Sequence, residues 1–115
     1  MAMKVHVSAL ILALAALGGT ASAQVAGDAA AGHEKTQMCT GCHGIPGWRT
    51  AFPEVYRVPM IYGQHPAYIV KALQSYKSGE RSHPSMRAIA GSLSDQDMAN
   101  LAVYYGGVAP SVAKK

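Results

Sequence analysis

The sequence predicts an all-α domain of three main helices joined by long irregular connections. Three features support this. Apolar residues recur at helical spacing in three separate stretches, each with its own start or stop signal. No stretch alternates apolar and polar residues for long enough to make a strand worth assigning. Prolines and glycines gather between the stretches, at Gly44, Pro46, Gly47, Pro53, Pro59 and Gly63 in one gap and at Pro84 in the other.

Residues 1–23 are set apart from the fold. Lys4, the apolar run from Ala9 to Leu17, then Gly18, Gly19 and Ala21-Ser22-Ala23, read as a secretory signal with an A-x-A cleavage pattern. A membrane-spanning helix needs about 20 mainly apolar residues. This core is shorter and broken by glycines, so no stable membrane insertion is expected. Cleavage leaves residues 24–115, enough for a single small domain, expected to be exported.

The first helix starts at Asp28, a suitable N-cap ahead of Ala29, Ala30 and Ala31, and runs to Met38. Gly32 inside it costs about 1 kcal/mol relative to alanine, which predicts a close approach of another backbone there. Residues 44–65 form a long loop whose aromatics, Trp48, Phe52, Tyr56 and Tyr62, suit the wrapping of a large apolar object. Pro66 opens the second helix at its favoured first position. Ile69, Ala72, Leu73 and Tyr76 follow on one face, and Lys77-Ser78-Gly79 ends it. Residues 80–93 are a second connection, with one helical turn at Met86 to Ala90. Ser94, with Asp97 three residues on, caps the third helix, whose apolar face is Met98, Leu101, Ala102 and Tyr105 before Gly106-Gly107. The tail from Val108 to Lys115 is expected to fray.

The chemistry sits at the end of the first helix, in Cys39-Thr40-Gly41-Cys42-His43. Residues i, i+3 and i+4 share one side of a helical turn, so both thiols and the imidazole can meet one flat ligand. That is the attachment pattern of haem c, with Cys39 and Cys42 bonding the porphyrin and His43 binding its iron. A thioredoxin-like dithiol would place a strand before the motif and a helix after it. A zinc site would need two further ligands at compact spacing, and the chain has only these two cysteines. A covalently held macrocycle also supplies core that so short a domain lacks.

The opposite side of the iron has several candidate ligands: Met38, Met60, Met86 and Met98, with His33, His65 and His83. Met38 adjoins Cys39 and cannot cross to the far face, and Met98 fits the apolar stripe of the last helix. Met86 lies in chain far from His43 and leads, with His83 as its rival.

Ten lysines and arginines stand against six aspartates and glutamates. They are scattered, without the basic stripe and interleaved aromatics of a nucleic-acid binder. Between residues 45 and 90, Arg49, Arg57, Lys71, Lys77, Arg81 and Arg87 face only Glu54 and Glu80, an imbalance that fits an ordinary solvated surface and also suits an acidic redox partner.

The ordered series of Cys39 to Gly44, Pro59-Met60-Ile61-Tyr62-Gly63-Gln64, the Tyr68 to Gly79 helix, Met86, and Leu93-Ser94-Asp95 to Tyr105 resembles the class I c-type cytochromes, in their small monohaem bacterial periplasmic form. The resemblance covers nearly all of residues 24–115 and implies the small cytochrome c fold. It implies that His43 and Met86 are the metal ligands, that the Pro59 carbonyl accepts the free N–H of His43, and that Ile61 lies against the macrocycle. It also implies a crossing of the first and last helices near Gly32, with Tyr104 or Tyr105 close by. The segment from Ile45 to Val58 does not align with the family. The implied function is a periplasmic one-electron carrier working between redox proteins, as a monomer or weak dimer, with no catalytic residue of its own. The alternatives are a fixed electron-transfer subunit of a larger dehydrogenase or oxidase and, from another class, a ligand-binding haem sensor or small peroxidase.

Overall fold

A computed structural model describes residues 25–107; the expected signal segment and the tail from Val108 lie outside the described residues. The described chain is helical: α1 (Ala29–Glu34), α2 (Gln37–His43), α3 (Pro66–Ser78), α4 (Pro84–Gly91) and α5 (Asp95–Gly107), with β1 (Arg49–Thr50) and β2 (Tyr56–Arg57) between α2 and α3. Three differences from the sequence expectation have local causes.

The first helix is two helices. Asp28 caps α1 as expected, its side chain accepting from the Ala31 N–H at 2.9 Å. The helix then stops at Glu34. The buried Thr36 donates its hydroxyl to the His33 carbonyl at 2.7 Å while its own N–H reaches the same oxygen at 3.1 Å. A threonine that competes for backbone carbonyls in this way tightens the turn, and α2 restarts from Thr36 with the attachment motif on it.

The second connection holds two helical turns rather than one. Pro84 occupies the first position of α4, and His83 caps it, Nδ1 accepting from the Met86 N–H at 3.3 Å. The long loop, where no strand was expected, closes a minimal antiparallel hairpin in which Arg49 pairs with Arg57 and Thr50 with Tyr56. Two residues per arm are too few to show alternation in a sequence.

The core gathers on α5. Met98, Leu101, Ala102 and Tyr105 are all buried, as their spacing predicts, and join Ile69 from α3 and Leu93 in one cluster. α1 crosses α5 at Gly32, where a Cβ would run into the backbone carbonyl of Asn100 and lie 2.9 Å from the Tyr104 side chain. Asn100 is the polar part of this junction: its side-chain oxygen accepts from the Asp28 N–H at 2.8 Å and from Gln96 at 2.9 Å. Ser94 and Asp97 cap α5 reciprocally. The Ser94 N–H and hydroxyl donate to the Asp97 carboxylate, and the Asp97 N–H donates back to the hydroxyl. α3 ends at Gly79, whose φ of 89° is the left-handed conformation that glycine adopts without strain.

Candidate cofactor site

α2, α3, α4 and α5 surround an apolar cavity lined by Met38, Cys39, His43, Ile61, Ile69, Leu73, Met86, Ile89, Leu93, Leu101 and Tyr105. On one wall, α2 presents Cys39 and His43, with Cys42 exposed beside them. On another, the first turn of α4 presents Met86. The cavity therefore brings the thioether of Met86 together with an attachment cysteine and an imidazole that lie far from it in sequence.

The imidazole is oriented from outside the cavity. His43 Nδ1 lies 2.7 Å from the carbonyl oxygen of Pro59. A carbonyl only accepts, so Nδ1 is the nitrogen that carries the proton, and Nε2 keeps its lone pair for a metal. Ile61, two residues on from Pro59, lies in the cavity lining.

The other candidate ligands, Met38 apart, lie away from the cavity lining. His83 is the N-cap of α4 and sits edge-on to Tyr76 at 6.5 Å, outside the cavity lining. His33 packs against Tyr104 and His65 precedes Pro66 as the N-cap of α3. Met98 is fully buried in the core, and Met60 is 43% exposed. Met38 does line the cavity, next to Cys39.

Tyr105 adds a feature that helical spacing alone marks only as core. Its ring is buried against Tyr62 and Tyr104, yet its hydroxyl has no hydrogen-bond partner among the described residues. Burial first, and then the neighbouring Cys39 thiol, drive its ionisation far above the ordinary phenol range. Burial likewise pushes the Cys39 thiol up, against a smaller lowering effect of Tyr105. The Tyr105 hydroxyl thus lies beside the attachment cysteine. The only hint in the sequence is a polar tip on the last residue of an apolar stripe.

The Trp48, Phe52 and Tyr56 side chains do not wrap the cavity. They are 43%, 65% and 55% exposed, and none is among the lining residues. Only Tyr62, of the four loop aromatics, packs on the core.

No protein-family model matches the chain. Known relatives do. The chain is 39% identical over 83 residues to cytochrome c-554(548) of Halomonas halodenitrificans, a match covering 70% of this chain and 95% of that protein. It belongs to the class I c-type cytochromes. It is also 38% identical to cytochrome c4 of Pseudomonas aeruginosa and 37% identical to cytochrome c4 of Azotobacter vinelandii, over 90% of this chain in each case. It spans only about half the length of those two relatives, 49% and 52%.

The cofactor of this cytochrome is haem c, and Cys39 and Cys42 have the spacing that attaches it. The chain's own structure fits such a group. The cavity is lined almost wholly by apolar side chains, includes the attachment cysteine Cys39, and holds an imidazole whose free nitrogen is set by an external hydrogen bond. Among the described residues no helix is long and apolar enough to cross a membrane.

Proposed function

We propose that this cytochrome is a periplasmic one-electron carrier in which His43 and Met86 would hold the haem iron. The observation that carries this reading is the presence of both side chains in one apolar cavity, together with the attachment cysteine Cys39. When bound, the haem supplies a one-electron couple. The rest is set by the protein. Pro59 holds the His43 ring and makes its free nitrogen more basic. Met86 contributes a soft thioether, which favours the reduced state relative to a second nitrogen ligand. Ile61, Ile69, Leu73 and Leu101 exclude water and disfavour the extra charge of the oxidised state.

With both His43 and Met86 holding the iron, the site would exchange electrons rather than turn over a substrate. Residues 1–23 supply the export signal, and the domain follows in residues 24–115. Its partners are redox proteins, with acidic ones favoured by the basic excess between residues 45 and 90.

The test is exposure of the reduced haem-loaded protein to carbon monoxide at neutral pH. The closed site predicts no change in the absorption spectrum. Prompt formation of a carbon monoxide complex would instead place the protein with the sensors and small peroxidases.

A further inference from the structure

We propose that the hairpin of residues 48–57 is the arm by which this cytochrome docks onto an acidic redox protein. This inference rests on the carrier reading given above and names the surface that the reading requires. The hairpin is rooted at the cofactor. Its first arm begins after the short connection of residues 44–47 that follows His43, and its second arm leads within two residues to Pro59, whose carbonyl is hydrogen-bonded to that imidazole. A protein seated on the hairpin is therefore held beside the His43 side of the cavity.

Its composition is that of an interface. Trp48, Phe52, Val55 and Tyr56 are 43%, 65%, 70% and 55% exposed, and Arg49 and Arg57 are exposed with them. Tryptophan, tyrosine and arginine are the residues that dominate binding energy at protein interfaces, where lysine is depleted; the hairpin has no lysine.

The charges indicate the sign of the partner. Arg49 and Arg57 lie directly opposite each other across the ladder, a like-charge pairing that disfavours the hairpin by itself. Neither forms an ion pair among the described residues, although Glu54 lies on the connecting turn. Carboxylates on a partner relieve this repulsion. An anionic membrane is the weaker match, since lipid-binding patches gather about four to eight lysines and arginines and the hairpin has two.

The experiment is stopped-flow oxidation of the reduced haem-loaded protein by an acidic blue-copper protein, each event passing one electron to copper(II) to give copper(I). A small neutral quinone serves as the control oxidant. Arg49→Glu with Arg57→Glu is expected to slow the copper reaction about tenfold at low salt, the difference shrinking as salt rises. Trp48→Ala with Phe52→Ala is expected to slow it several-fold with little salt dependence, and Arg49→Lys with Arg57→Lys to retain most of the rate. All variants are expected to keep the wild-type visible spectrum and quinone rate.

Copper rates unchanged in both the charge and the aromatic variants would overturn the docking proposal while leaving the carrier reading intact. So would hairpin-dependent binding to anionic phospholipid vesicles with wild-type copper rates. A wild-type protein oxidised by neither reagent would overturn the carrier reading itself, and the docking proposal with it.

Discussion

The α1–α5 junction and the 48–57 hairpin are built in opposite ways. At the junction two backbones touch, glycine is required, and a buried asparagine satisfies groups on both sides. In the hairpin the large side chains face solvent and two arginines oppose each other. Stability is therefore concentrated in the first region and recognition in the second. Substitutions at the junction should unfold the protein with little bearing on partner choice, and substitutions in the hairpin should do the reverse.

The largest effect is expected at Gly32. A Cβ there meets the backbone of Asn100, which cannot give way as a flexible side-chain end can. Gly32→Val should cost more than about 3 kcal/mol, a large part of the about 5–15 kcal/mol that holds a domain together. Urea unfolding followed by circular dichroism would measure it. Stability within 1 kcal/mol of wild type would break the contrast between the two regions.

Next is the cap of the helix that forms the junction. Ser94→Ala should cost about 1 kcal/mol at neutral pH. The Ser94 backbone and hydroxyl, and then Lys35, hold the Asp97 carboxyl below the usual carboxylate range. A carboxyl more acidic in the folded state stabilises fully above its unfolded value of about 3.9 and loses that contribution as pH falls through the folded value. The penalty of Ser94→Ala should accordingly shrink in acid, as urea curves at pH 7 and at pH 3 would show.

Tyr105 lies where the junction meets the cavity. Tyr105→Phe removes a buried hydroxyl that has no partner, so stability should change by less than about 1 kcal/mol. The reduction potential should shift, because a polar group beside Cys39 is lost. Spectroelectrochemical titration would detect the change. Smallest of all in stability is Phe52→Ala at the hairpin tip, expected within about 0.5 kcal/mol in the same urea assay.

The same contrast explains what the sequence disclosed. Cys39, Cys42, His43 and the stripe of Met98, Leu101, Ala102 and Tyr105 were legible because spacing on a helix is a local property. Gly32 was legible because a glycine inside a helix needs a reason. The break at Thr36 depends on a hydroxyl's choice of carbonyl, and the role of Asn100 depends on a chain segment 72 positions away. Neither leaves a periodic trace. The loop aromatics suit either a wrap around the cofactor or an exposed interface, and only the three-dimensional arrangement has Trp48, Phe52 and Tyr56 facing outward.

The central claim is a haem closed on both sides by His43 and Met86. Its most direct test is the weak long-wavelength absorption band of ferric haem bound to a thioether, measured in the wild type and in Met86→Ala. The closed site predicts the band in the wild type and its loss in the variant, with the haem still attached. A band that survives Met86→Ala, or is missing from the wild type, would contradict it.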